Sequence, residues 1–332
     1  MGKQVAVIYN KPHPSYYNAS GEEKAAWGVL SAVEAVCPAL TELGYDAFQV
    51  PLSSPQEEAE AKVMALKVDL VFNLFEGFCG QPETEALIPR LLSQCGLRYT
   101  GCPEAALRLA LDKAKTKLSL KAASILTPDF QLLEPDTISD FHLAFPCIIK
   151  PGKEDASHGI TAESVASDFA SLEKQVEKTS RIYGGEALVE EFIDGPEFNA
   201  TILGNGNNIA LPISEIVYSL PPAMPRILTF AAKWEPDSPY FHGTRVICPA
   251  QVAPGDRERI IETALAAFHL VCHRGYGRVD MRQDRNGELQ VIEVNPNPDI
   301  SPDSGAVRQA KAAGMSYTQF IKRITELALE KN

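Results

Sequence analysis

Two apolar strands near the C-terminal end carry charges where a buried strand should carry none. Arg278-Val279-Asp280 lies on the first and Glu293-Val294-Asn295 on the second, joined by the turn Arg285-Asn286-Gly287-Glu288. Side chains alternate along a strand, so Arg278 and Asp280 share one face, and Glu293 and Asn295 share one face. A solvated hairpin would carry such residues without consequence, but the surrounding sequence reads as buried. If both pairs face inward, three oxygen ligands converge beside a guanidinium. Hard oxygen donors, two of them carboxylates, suit Mg²⁺ that phosphate oxygens also hold. Two such ions clamp a transferring phosphoryl group while Arg278 stabilises developing negative charge.

At 332 residues, two or three domains are expected at roughly 100–200 residues each. Alternating apolar strands and helices over residues 4–96 predict a parallel sheet covered on both faces. The strands are residues 4–9, 46–50 and 68–74. One helix opens at the capping signal Ser20-Gly21-Glu22-Glu23, and another runs from about 84 to 95. Tyr9-Asn10-Lys11-Pro12-His13-Pro14 stands where a dinucleotide-binding turn would need glycines, so a Rossmann site is excluded. Beyond Thr100-Gly101 come a lysine-rich helix (112–121), a strand ending at Lys150, a helix (167–177), a strand (187–193) and a hairpin (200–211). Residues 212–245 carry six prolines and little periodicity, which reads as an irregular lid. A helix at 257–273, the charged hairpin and an amphipathic helix at 317–329 finish the chain.

Composition excludes several functions. A formal net charge of −12 repels nucleic acids and anionic membranes. No apolar run approaches the roughly 18–20 residues that span a bilayer, and the N-terminus reads as a strand rather than a signal peptide. A cytoplasmic protein is expected. The seven cysteines show no CxxC spacing and read as free thiols. His269 and His273 have metal-like spacing, but His273-Arg274-Gly275 reads as an ordinary helix end.

Phosphate-contact candidates are Lys113, at a helix start, and Lys150, whose ammonium is costly at the end of an apolar strand unless an anion meets it. The loop Gly152-Lys153-Glu154-Asp155-Ala156-Ser157-His158-Gly159 can turn backbone N–H groups toward phosphates. No GxxxxGK[ST] occurs, which excludes a P-loop. In Leu188-Val189-Glu190-Glu191-Phe192-Ile193-Asp194-Gly195-Pro196-Glu197 a strand edge can pair with a purine and Glu197 with a ribose, although the pattern alone says strand, turn, strand.

Together these segments resemble D-alanine–D-alanine ligase and its ATP-grasp relatives. The matching blocks are Tyr99-Thr100-Gly101, Leu111-Asp112-Lys113, Ile149-Lys150-Pro151, Val189 to Ile193, Gly195-Pro196-Glu197, the two hairpin blocks and Gly314-Met315-Ser316-Tyr317. The resemblance implies an α/β (α+β) chain in which an N-terminal parallel-sheet domain precedes a two-lobed ATP-grasp fold. Its parts would be an N-terminal domain (1–101), a central ATP-binding lobe (102–193) and a C-terminal lobe with lid and metal site (194–332). By position, Lys113 and Lys150 would contact ATP phosphates and Ser157 would cover them. Glu190, Glu191 and Ile193 would meet adenine, Glu197 the ribose, and Lys233 would reach in from the lid. Asp280, Glu293 and Asn295 would hold two Mg²⁺ ions, with Mn²⁺ an acceptable substitute. Arg278 would neutralise the oxyanion, and Ser304 would bind the second substrate's carboxylate. The implied reaction activates a carboxylate as an acyl phosphate, which an amine then attacks. The substrates would be small molecules of the amino-acid kind, and a homodimer is compatible. A nucleotide-binding regulator without turnover is the alternative.

The departures fall on the amino-acid pocket. The family's N-terminal glutamate has no obvious equivalent in Lys11-Pro12-His13-Pro14, and Phe75-Glu76-Gly77 replaces its histidine. Ala156 and Trp234 replace a serine and a tyrosine. The turn Asn-x-x-Pro-Gly becomes Asn295-Pro296-Asn297-Pro298-Asp299. Glu76 or Asp299 would then meet the substrate ammonium, and the substrates would not be two D-alanines.

Overall fold

The computed structural model describes residues 2–12, 23–78, 81–153 and 160–330. Strand β1 (Gln4–Asn10) leads to helix α1 (Glu23–Glu42), β2 (Asp46–Leu52), helix α2 (Gln56–Met64) and β3 (Leu70–Leu74). These strands form a parallel sheet in the order β2-β1-β3. Alternation along β1 explains its double cover. Val5 and Val7 enter a core with α1 and the C-terminal helix, while Ala6 and Ile8 enter a second core with α2 and α3 (Leu87–Gln94). The first turn before α3, Pro82–Ala86, is a 3₁₀ helix. The expected helix signal at Ser20-Gly21-Glu22 lies outside the described residues.

Gly101 ends the first sheet's approach and α4 (Glu104–Leu111) follows, then α5 (Lys113–Ala122), capped by Asp112, whose carboxylate accepts from the Lys115 N–H at 3.0 Å. The next sheet is antiparallel, in the order β4-β7-β5-β6: β4 (Phe130–Leu133), β5 (Cys147–Pro151), β6 (Val165–Ala166) and, after α6 (Phe169–Tyr183), β7 (Ala187–Glu191). Its Cys147, Ile149, Ala187 and Val189 face α6 and are fully or almost fully buried. The opposite face carries Ile148, Lys150, Leu188 and Glu190, because Ile148 pairs with Glu190 and Lys150 with Leu188.

The third sheet runs β11-β10-β8-β12-β13, with short β9 (Ile209–Ala210) added on β8. Its members are β8 (Glu197–Gly204), β10 (Ser214–Tyr218), β11 (Thr244–Ile247), β12 (Gly275–Gln283) and β13 (Leu289–Asn295). Residues 212–245, expected to be irregular, supply two of these strands and two short helices, α7 (Phe230–Trp234) and α8 (Pro239–Gly243). Their short pairing, interrupted by prolines, hides the strand period from the sequence. Helix α9 (Pro254–Val271) covers one face of the sheet, against Phe198, Ala200, Val279 and Met281. The helix ends on His273, which takes a left-handed φ of 61° that a glycine more often supplies. Gly275 follows at φ 85°, and a Cβ there would lie 2.5 Å from the Gly101 carbonyl oxygen, so this close approach requires glycine. Helices α10 (Gly305–Ala312) and α11 (Tyr317–Leu329) close the chain, α11 packing against α1. No described helix is long and apolar enough to cross a membrane, and the six described cysteines form no disulfide.

Candidate active site

The polar face of the third sheet is set by its register. Arg278 pairs with Asn295 and Asp280 with Glu293 across β12 and β13, so all four side chains leave the same face. A bulge at Ile292 makes this possible. It resets the alternation so that Leu289, Val291 and Val294 all enter the core beneath α9 while Glu293 and Asn295 point away. On the other side of β12, β8 places Asn199 opposite Asp280 and Glu197 opposite Arg282.

Each charge on this face meets an opposite charge. Arg278 holds Asp280 with two hydrogen bonds of 2.8 Å. Burial nevertheless pushes the Asp280 carboxyl up, since desolvation outweighs the guanidinium. The Lys113 ammonium lies 3.1 Å from Glu293. Desolvation pushes Glu293 up, but Lys113, Arg278 and Lys150 together outweigh it and hold the carboxyl down at about 2. Lys113 reaches this position because the Asp112 cap starts α5 there. From the four-stranded sheet, Lys150 donates to Glu190 at 2.9 Å. Lys117, one helical turn after Lys113, lies 3.5 Å from the same carboxylate. Burial drives the Lys117 ammonium down to about 8 against the pull of Glu190. Lys233, on α7, is half-buried in the field of Arg278, Asp280, Glu293 and Glu197, and desolvation lowers it. Glu191 ends β7 half-buried, its N–H donating to the Asp129 carbonyl at 3.0 Å. The Ile193 carbonyl accepts from Arg282 at 2.8 Å.

The other end of the cleft is built from loops. Asn297 donates to the Phe75 carbonyl at 3.1 Å and to Glu85 at 2.6 Å, docking the turn after β13 onto the N-terminal sheet. A small cavity there is lined by Glu76, Tyr276, Asn297, Pro298 and Asp299. Asp299 is exposed and accepts from the Ser301 N–H at 2.7 Å and the Ser301 hydroxyl at 2.8 Å. Burial pushes the Tyr276 phenol up, and Cys102, Glu76 and Asp299 add to it. Ser304 caps α10, accepting from the Val307 N–H at 3.3 Å.

Of the residues singled out from sequence, the structure thus brings Lys113, Lys150, Glu190, Glu197, Lys233, Arg278, Asp280, Glu293 and Asn295 around one cleft, with Glu191 and Ile193 at the end of β7. Glu76, Asp299 and Ser304 stand at the loop end. Ser157, with residues 154–159 of its loop, lies outside the described residues, as do His13 and Pro14. Sequence reasoning missed Lys117, Arg282, Tyr218 and Tyr276. Arg282 had a signal, because it continues the two-residue alternation of Arg278 and Asp280. Lys117 had one too, four residues beyond Lys113 on the same helix face.

Two antiparallel sheets facing each other over paired lysines and carboxylates, behind a parallel-sheet domain, define an ATP-grasp ligase. Residues 121–326 match the family model described as D-ala D-ala ligase C-terminus. A D-alanine–D-alanine ligase of Carboxydothermus hydrogenoformans is 32% identical over 91% of this chain and 93% of its own length. The chain belongs to the D-alanine–D-alanine ligase family, whose members are ATP-dependent ligases that form C–N bonds. An uncharacterized protein of Sinorhizobium fredii, y4sG, is 29% identical over 98% of this chain and 96% of its own. Among solved structures, the VanG D-Ala:D-Ser ligase of Enterococcus faecalis superposes with a TM-score of 0.75 at 20% identity, covering 99% of this chain and all of that one.

Proposed function

We propose that this protein joins a small carboxylate to an amine through an acyl phosphate made from ATP, and that its substrates are not two D-alanines. The observation that carries this reading is a contrast within one cleft. The paired face of Arg278, Asp280, Glu293 and Asn295 has the groups that phosphoryl transfer needs. The cavity at Glu76, Tyr276 and Asp299 carries two carboxylates, at the places where the sequence departs from the histidine and the glycine of the family pattern.

In this reading Lys113 and Lys150 bind the nucleotide's phosphates. Glu190, Glu191 and Ile193 border the adenine, Glu197 takes the ribose, and Lys233 approaches from the lid segment. Asp280, Glu293 and Asn295 fit Mg²⁺ as a donor set, being two half-buried carboxylates and one amide oxygen on a single face. The Asn295 amide would be the third donor beside the two carboxylates, since its register partner is Arg278 and it leaves the same face as Asp280 and Glu293. Its oxygen already accepts from the Asn297 N–H at 2.8 Å, which orients it and leaves a second lone pair. Bound Mg²⁺ would neutralise phosphate charge there. Arg278 then stabilises negative charge that develops on the reacting group, and Glu76 or Asp299 meets the substrate ammonium. VanG, by its description, joins D-Ala to D-Ser, so the fold accommodates more than one second substrate. Phosphorylation turns a poor leaving group into a good one, and the protein's contributions are positioning and electrostatics.

A panel of D- and L-amino acids, singly and in pairs, tested for ATP-dependent phosphate release with Mg²⁺ checks this. Turnover is expected with a pair other than D-Ala plus D-Ala, and efficient D-Ala-D-Ala formation overturns the altered specificity.

A further inference from the structure

Arg282 lies at the end of the alternation that begins with Arg278, and its β8 partner is Glu197. It is 5% exposed. A guanidinium so deeply placed needs several acceptors, and this one has them. Its Nε donates to Glu197 Oε2 at 2.9 Å, and its Nη2 reaches the same oxygen. Its Nη1 donates to the Ile193 carbonyl at 2.8 Å, and Nη2 also reaches the Arg226 carbonyl in the lid segment. Its plane is flanked by the rings of Phe192 and Tyr218, 5.4 and 5.7 Å away. Arg226 itself closes on Asp194, donating from Nε at 2.8 Å.

The consequence falls on the carboxylate. The Tyr218 hydroxyl donates to Glu197 Oε2 at 2.7 Å, so three donors converge on that oxygen. Among the described residues none donates to Oε1. An ionised carboxylate only accepts, and each of its oxygens has two lone pairs. With Oε2 saturated from one side, Oε1 is the atom left for a ligand hydroxyl. The backbone beneath is equally fixed, because Gly195 lies so close to β12 that a Cβ would collide with the Gln283 carbonyl. A lysine at 282 would offer one point charge, not a fork that grips a carboxylate and two carbonyls together.

The structure assigns Arg282 as a positioning residue that sets the sugar selectivity of the nucleotide site, holding Glu197 so that Oε1 receives a ribose hydroxyl. This rests on the nucleotide reading given above, and the experiment separates the two. ATP, 2′-deoxy-ATP and 3′-deoxy-ATP are titrated calorimetrically into the full-length protein with Mg²⁺. The wild type is expected to bind ATP about tenfold or more tighter than at least one deoxynucleotide, the size of a hydrogen bond to a charged group. Glu197→Gln and Arg282→Met bring that ratio to within about twofold, and Arg282→Lys restores part of it. A merely structural role for Arg282 weakens all three nucleotides in parallel and leaves the ratio intact, which overturns the assignment. If Arg282→Met does not fold, Tyr218→Phe removes one Oε2 donor without creating a buried charge. It is expected to lower the ratio by no more than about threefold, because both Arg282 donors remain, and Arg282→Lys, which keeps the charge and loses the fork, then decides: a wild-type ratio in that variant overturns the assignment. A wild type that binds ATP but does not distinguish the deoxynucleotides defeats this inference alone. A wild type that binds no ATP defeats the nucleotide reading as well.

Discussion

The two ends of the cleft are built by different means. At the end proposed for the nucleotide, sheet register brings the charges together: Arg278 with Asp280, Lys150 with Glu190, and Arg282 with Glu197 are neighbours on one strand or across adjacent strands. Lys113 joins them from the start of a capped helix. At the end proposed for the substrate, the groups come from the loops after β3 and β13, from Tyr276 at the start of β12 and from the α10 cap, and the contact that aligns the loops is the docking of Asn297 on Phe75 and Glu85. The first arrangement is preorganised, since strand geometry leaves its pairs little freedom. The second can exchange residues without disturbing a sheet, so a change of substrate is easiest there.

The comparison breaks most readily at Arg278. Arg278→Ala leaves Asp280 without its guanidinium and removes the group that the proposed reaction sets beside developing charge. Product formation should fall by about two to three orders of magnitude while ATP still binds. Phosphate release on the substrate pair identified from the panel, with ATP titration alongside, checks this. If turnover persists, the nucleotide end does not perform chemistry through Arg278.

A smaller effect tests preorganisation itself. Glu190 is 1% exposed and shared by Lys117 and Lys150. Glu190→Gln leaves two ammonium groups facing each other without the charge that balances them. Breaking a buried pair in this way should cost about 3 kcal/mol, read by urea unfolding. Asp299→Asn at the other end, exposed and among the described residues hydrogen-bonded within its own turn, should shift stability by less than about 1 kcal/mol. Equal losses at the two positions would erase the distinction between the ends.

That distinction also explains what the sequence could and could not reveal. Strand alternation alone placed Arg278 with Asp280 and Glu293 with Asn295, because a period of two leaves only the choice of face. It did not reveal that a bulge at Ile292 is needed to keep Val291 and Glu293 on opposite faces, since a bulge has no composition signal of its own. The lid segment read as irregular because β10 and β11 are five and four residues long and separated by prolines. Lys117 shares a helix face with Lys113 in the sequence, but its burial depends on the packing of α5 against Thr127 and Glu190, which no local pattern encodes. At the substrate end, Glu76 and Asp299 stood out as departures from a family pattern, but the cavity they share with Tyr276 depends on a docking between distant segments that no local pattern encodes.

The finest test separates two duties of one side chain. Ser304 is 7% exposed, and its hydroxyl oxygen caps α10 by accepting from the Val307 N–H. Helix α10 in turn holds β8, since Gln309 accepts from the Thr201 N–H at 2.8 Å and donates to the Asn199 carbonyl at 2.9 Å. Capping uses the Ser304 oxygen as an acceptor and leaves its O–H to donate to a substrate carboxylate. Ser304→Ala loses both functions and should cost about 1 kcal/mol of stability together with a raised KM for the amine substrate. Ser304→Asp keeps the cap, so stability should return to near the wild-type value, but it sets an anion where a carboxylate would bind. Turnover should therefore remain impaired in the aspartate variant despite its restored stability. If Ser304→Asp instead matches the wild type in both measurements, Ser304 is a helix cap alone, and the second substrate's carboxylate is held elsewhere in the loop end of the cleft.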